Sequence, residues 1–193
     1  MDFWYTLVMN KILKLILTVA FFSYFSENLL VPVYAIFTQK IGGDLFTAGS
    51  ALAISYALIG IGIFISGRFA EKHHTERLQM VIGLAINMFV IIGYMNIKSP
   101  LGLYVAFIFS GIAISISQPA FSGLYSSVIQ DGKHTSRWGD MYGLIYLTSA
   151  VSAFVSGFIT QQFGFTALFY LMLFTEGLAL IASLCLLRIP EKV

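Results

Sequence analysis

Two acids stand out in a chain that otherwise offers little ionisable chemistry: Glu27 and Glu176, each near the middle of a long apolar run. A charge at the centre of a bilayer costs about 2.5–3.5 kcal/mol even on the gentler insertion scale, so an acid kept at that depth calls for a use. Neither carboxyl has a lysine or arginine at comparable depth. Such a group can take up and release a proton as water access changes, which makes it a candidate for proton coupling. Glu27 is the better candidate, because Tyr24, Glu27, Asn28 and Val31 share one helical face through three- and four-residue spacing. Pro32 follows, and its missing amide hydrogen frees a carbonyl and can kink the helix.

A matching feature recurs further along, where Gly111, Ser115, Gln118, Ser122 and Tyr125 form a small and polar stripe interrupted by Pro119. Proline-interrupted apolar helices at corresponding places are a pointer to a transport cavity. The candidate solute and proton pathway is therefore Tyr24, Glu27, Asn28, Ser115, Gln118, Ser122 and Glu176. For Ser115 and Ser122 the commoner role is a bond to backbone or a close helix crossing. Glu176 divides evenly between pathway and structure, with Asn87 as a natural hydrogen-bond partner.

Other site chemistry is thin. No phosphate-binding loop, His-Glu-x-x-His or Gly-x-Ser-x-Gly element occurs, so a membrane enzyme is the least favoured class and no cofactor is expected. The adjacent His73 and His74 lack the further ligands an ion requires, and no metal site is expected. Cys185 lies in the last apolar run, where it is expected to pack. The net charge of +2 gives no reason to expect a nucleic-acid partner.

The elements that must position these residues follow from composition. The chain is 58% hydrophobic and 10% charged, with a mean hydropathy of +0.86, whereas soluble domains carry about 25% charged residues. Six runs are long enough to cross a hydrocarbon layer about 30 Å thick at about 1.5 Å per residue. They are Leu13 to Phe37, Thr47 to Ser66, Leu78 to Ile97, Leu101 to Val128, Met141 to Gln162 and Phe165 to Leu187. Continuous apolarity, without the alternation of a barrel wall, predicts helices. The first run is too long for a signal peptide and contains Glu27, so it reads as a retained span.

Basic residues fix the orientation. Lys11, Lys14, Arg68, Lys72, Arg77, Lys133, Arg137, Arg188 and Lys192 fall on one side, against only Lys40 and Lys98 on the other. Both termini are thus expected in the cytoplasm, in a multi-pass protein of the cell membrane. Two cytoplasmic loops are expected, Gly67 to Arg77 and Gln130 to Gly139. Phe163-Gly164 is so short a joint that spans five and six must form a tight hairpin. Trp4, Tyr5, Tyr104 and Trp138 are expected to anchor at interfaces or pack. With no linker or low-complexity segment, residues 1–193 read as one domain.

The end of span two reads Gly67-Arg68-Phe69-Ala70-Glu71-Lys72, with Arg77 beyond. This resembles the loop motif between spans two and three of the major facilitator superfamily, with His74 where a second glycine usually stands. Ile41-Gly42-Gly43, Thr47-Ala48-Gly49 and Phe163-Gly164-Phe165-Thr166-Ala167-Leu168-Phe169 are also similar to stretches of such transporters. The usual members have twelve spans in two six-helix halves, and this chain resembles the amino-terminal half, an all-α unit built as a three-plus-three inverted repeat.

The resemblance implies that spans one and four line the cavity. It also implies that Gly67, Ala70, Glu71, Lys72 and Arg77 form a cytoplasmic gating motif, with Glu71 reaching toward the start of span five in the other half. The expected function is alternating-access transport of a small solute, coupled to protons through Glu27. A lone half offers one cavity wall, so a homodimer is expected, the alternatives being a different partner half or a truncated product. Drug antiport is weakened, because span five has no glycine-proline motif. A competing class is a non-transporting membrane subunit that binds or regulates a partner protein.

Overall fold

The computed structural model describes residues 3–129 and 132–189, with side chains from Lys11 onward. The side chains of Trp4 and Tyr5, and the whole of Gln130 and Lys192, lie outside the described residues. Among those described the chain is helical and contains no strand. Helix α1 (Phe3–Leu30) passes through a 3-10 turn at Val31–Val33 into α2 (Tyr34–Lys40), and together these make the first span. The turn falls at Pro32, where the sequence places the kink.

Spans two to four are α3 (Leu45–His73), α4 (Glu76–Tyr94) and α5 (Pro100–Ser127). Asp44 starts α3 by accepting from the Thr47 amide at 2.7 Å, and Pro100 opens α5 as proline suits a first turn.

The last helix, α6 (His134–Leu187), is broken at Gly164, whose φ of 79° and ψ of 178° only glycine tolerates. That break reverses the chain. Ser156 and Met172 stand eight residues to either side, which in a straight helix separates them by about 24 Å. Yet the Ser156 hydroxyl donates to the Leu29 carbonyl, and the Ser26 hydroxyl donates to the Met172 carbonyl at 3.1 Å. Both arms therefore pass the same turn of α1 at one depth, which is the expected hairpin. The arms 134–163 and 165–187 serve as spans five and six.

One expectation is corrected. The segment Gly67 to Arg77 is not a loop, because α3 continues through His73 and α4 begins at Glu76. Alanine, glutamate, lysine and arginine are good helix formers, so nothing stops the helix when the apolar run ends. His74 ends it in the left-handed conformation, and the His74 and Thr75 amides donate to the Ala70 carbonyl. The second expected loop is shorter as well, since α6 starts at His134.

Helix α1 packs on α6, α5 packs on both α3 and α4, and α4 also meets α6, whereas the consecutive α3 and α4 scarcely touch. Glycine permits the closest crossings. A Cβ on Gly83 of α4 would lie 2.5 Å from Ser117 Cβ and 2.7 Å from the Ala113 carbonyl oxygen of α5. On α3, a Cβ at Gly62 would lie 2.5 Å from Ser115 Cβ.

The buried apolar side chains form two separate clusters stacked along the helices. One gathers near the Gly164 end, around Leu29, Phe37, Val90, Ile91, Phe107, Phe169 and Met172. The other gathers near the termini, around Ile16, Val19, Met80, Leu84, Phe121, Ala179 and Leu186. Between them lies a layer of polar side chains drawn from several helices. There α1 supplies Ser26 and Glu27, α4 supplies Asn87, α5 supplies Ser115, Ser117 and Gln118, and the arms of α6 supply Ser152 and Glu176.

Candidate functional site

This polar layer opens into a cavity of about 530 Å³. The described side chains Tyr24, Glu27 and Asn28 of α1 line it, together with Asn87 of α4. A smaller pocket of about 70 Å³ lies toward the termini, bounded by Val19, Ser23, Met80, Ser117, Gln118 and Phe121. Tyr24, Glu27 and Ile114 line both spaces. Glu27 is the one ionisable carboxyl among them, and it stands where the two spaces meet.

The local reason is the spacing on α1. Leu29 and Leu30 point into the apolar cluster, which turns the face bearing Tyr24, Glu27 and Asn28 toward the cavity. The Asn28 amide nitrogen donates to the Tyr24 carbonyl at 2.8 Å, holding that face in register. The hydroxyl of Tyr24 lies within electrostatic range of both Glu27 and Tyr142.

Glu176 sits behind this face and is fully buried. Its Oε1 accepts from Asn87 Nδ2 at 2.9 Å, which is the partner expected from sequence. The Ser26 hydroxyl lies beside the same carboxyl, and Oε2 makes no hydrogen bond among the described residues. Asn87 thus faces the open cavity and touches the buried acid, linking the two.

The other candidates are placed differently. Gln118 lines the smaller pocket. Ser115 lies in the α3–α5 crossing, where its hydroxyl donates to the Ile112 carbonyl at 2.8 Å and its own carbonyl accepts from Ser66. Ser122 is half-buried and lines neither space. For Ser115 the geometry is that of a close helix crossing.

The motif after span two lies on the last turns of α3. Ala70 is buried, Gly67 faces Pro119 of α5, and Glu71 and Lys72 are exposed. Arg77 reaches the other end of the chain, donating to the carbonyls of Leu186 and Ile189 where α6 ends. A cation there meets the partial negative charge of a helix carboxyl terminus.

Five lining tyrosines were not singled out from sequence: Tyr34, Tyr56, Tyr94, Tyr142 and Tyr146. Tyr142, Ile145, Tyr146 and Ser149 recur at helical spacing on span five, and that periodicity was the available signal. The family model for the Major Facilitator Superfamily matches residues 16–193. The chain belongs to the major facilitator superfamily. A search of curated proteins gives no match. The all-helical architecture accords with half of the superfamily fold, and the chain is a multi-pass membrane protein of a transporter family.

Proposed function

We propose that the chain moves a small solute by alternating access, with Glu27 exchanging a proton as the cavity changes sides. The observation that carries this reading is that Glu27 lines both the open cavity and the smaller pocket. A carboxyl at the junction of two spaces meets water from either one, depending on which is open, and that is the requirement for coupling. Asn87 and Glu176 set the wall behind it, and Gln118 lies on the path toward the termini.

In this reading residues 1–193 act as one six-helix unit, with both termini in the cytoplasm of a cell-membrane protein, as the distribution of Lys and Arg supports. The unit works as a homodimer about an axis along the membrane normal, so that a second copy supplies the missing wall. The exposed rings of Tyr56 and Tyr146 in the lining of the open cavity support a partner on that face. The mass of the detergent-solubilised complex tests the dimer, and an active, strictly monomeric species overturns it.

Purified protein in vesicles tests the transport reading. An imposed proton gradient is expected to drive uptake or efflux from a solute panel, and Glu27→Gln is expected to uncouple it. No flux for any solute, alongside stable association with another membrane protein, favours the non-transporting subunit instead.

A further inference from the structure

Helix α4 presents two different faces. Asn87, Ile91 and Tyr94 line the central cavity, while Ile86, Phe89, Val90 and Gly93 line a separate groove of about 440 Å³ against α5. Its α5 wall is Gly102, Val105, Ala106, Phe109 and Ile112. The two spaces share no lining residue. Among the described residues nothing from α1, α3 or the arms of α6 lines the groove, so it lies on the outside of the α4–α5 pair, toward lipid.

Small residues leave the groove open. A Cβ on Gly93 would meet nothing within 4 Å, and Ala106 on the facing helix is buried. Phe89 and Phe109, 73% and 51% exposed, stand as the rims. Packed helices leave few voids larger than a water molecule, so an apolar space of this size calls for an apolar filling.

The length of the groove matches one leaflet. From Gly102 to Ile112 it runs about 15 Å along α5 at about 1.5 Å per residue, half of a hydrocarbon layer about 30 Å thick. It begins at Ile97, beside the α4–α5 connection, and stops at Ile86, next to Asn87 of the polar layer. One turn further, Gly83 brings α4 against Ser117 and Ala113 of α5 and closes the seam. A partner's spanning helix crosses the whole layer and would overrun this groove. An acyl chain occupies one leaflet and would not.

The mouth of the groove supplies a charge. Lys98 is the one charged residue between Leu78 and Ser127. It is exposed, directly follows the lining residue Ile97, and has no ion-pair partner among the described residues. Lys40, the other lysine at this end, is engaged over the Phe165 ring at 5.3 Å. A lysine at the membrane surface attracts anionic head groups, and its stem lies along apolar surface.

We propose that the α4–α5 groove holds one anionic phospholipid from the leaflet on the Gly164 side, with an acyl chain between Phe89 and Phe109 and the phosphate at Lys98. The seat is separate from the central cavity, and it stands whether or not the chain transports a solute.

Palmitoyl-oleoyl phosphatidylglycerol and phosphatidylcholine share both chains and differ in head-group charge. Native mass spectrometry of the full chain, purified in mild detergent and supplied with both, counts the lipids retained. The difference between wild type and variant isolates this seat from lipid held elsewhere. At the seat phosphatidylglycerol is expected to be preferred about fivefold, the effect of one lysine near a membrane surface. Gly93→Leu and Val105→Trp fill the groove from either helix, and each is expected to lower the count by one. Lys98→Gln is expected to keep the count and remove the preference.

An unchanged count in both groove-filling variants, with helical circular dichroism intact, overturns the proposal. A preference that survives Lys98→Gln does so too. If filling the groove instead halves the mass of the complex and leaves the lipid count alone, the groove is an interface between copies and the lipid seat is refuted. None of these results depends on flux, so they leave the transport reading to its own test.

Discussion

Asn87 on α4 and Glu176 on the second arm of α6 are joined side chain to side chain, the Asn87 Nδ2 donating to Glu176 Oε1 at 2.9 Å. Because Asn87 also faces the open cavity, a single amide connects the solvent-accessible wall to a fully buried acid. Asn87→Leu removes that partner and leaves a carboxyl oxygen unsatisfied. Interhelical hydrogen bonds in membranes are worth about 1–2 kcal/mol at most, so a loss of that order is expected. Thermal unfolding in mild detergent measures it, and Glu176→Leu in the Asn87→Leu background should recover part of the loss. No recovery would show that the bond is not what Asn87 contributes.

The α4–α5 crossing depends on Gly83. A Cβ there meets Ser117 Cβ at 2.5 Å and the Ala113 carbonyl oxygen at 2.7 Å, and a backbone atom cannot rotate away. Gly83→Ala is expected to destabilise by about 1–3 kcal/mol, the usual cost of forced overpacking. Gly93→Ala on the same helix meets nothing within 4 Å and is the control. Equal melting temperatures for the two variants would refute the close crossing.

The turn at Gly164 makes a sharper case. Its φ of 79° with ψ of 178° belongs to a region essentially closed to residues with a Cβ. Gly164→Ala is expected to cost about 1–3 kcal/mol although open space surrounds the position. A cysteine pair at Ser26 and Met172 reports on the hairpin itself. Crosslinking that is retained in the wild-type background and lost in Gly164→Ala is the expected pattern.

Much of this was readable from residues alone, and the reasons differ by element. The six spans follow from the length of apolar runs, and the hairpin from the two-residue joint at Phe163-Gly164. Glu27 was legible because an acid in hydrocarbon is costly, whatever surrounds it. The extension of α3 through His73 was not, because a polar helix end and a polar loop have the same composition. Nor did the α5 stripe separate cavity from crossing. Gln118 and Ser115 are three residues apart on one helix, and only the position of α3 decides that Ser115 meets Gly62 while Gln118 lines a pocket. The tyrosines of α3 and α6 were missed because rings near membrane surfaces are common anchors, and depth along a helix is not marked in sequence.

At the start of α3 the Asp44 carboxylate accepts from both the Thr47 amide and the Thr47 hydroxyl at 2.7 Å. These bonds favour the charged form and hold its pKa below the ordinary 3.8. Stability from the cap is therefore fully present above the ordinary carboxyl value and is lost as pH falls through the lower folded one. Hydrogen exchange at Phe46 and Thr47, corrected for intrinsic rates, is expected to show fraying only on that acid side. Asp44→Asn keeps a capping oxygen, and its protection should no longer vary with pH over this window.

The exposed ends of α3 and α6 bear on how two six-helix units would engage. Arg137 pairs with Asp140 at 3.6 Å, with side chains 43% and 68% exposed, and such a surface pair contributes about 0–1 kcal/mol. It can exchange partners at little cost. Glu71 lies exposed on the last turn of α3, and in the proposed homodimer it approaches Arg137 of the second copy when the cytoplasmic side is closed. Glu71→Arg and Arg137→Glu are each expected to lower transport about tenfold, the effect of about 1.4 kcal/mol on the closed state. The double swap restores the pair with reversed polarity, so it should recover most of the activity and regain the sensitivity to ionic strength that exposed charges show. A double variant no better than either single one removes this latch, while leaving the cavity and Glu27 untouched.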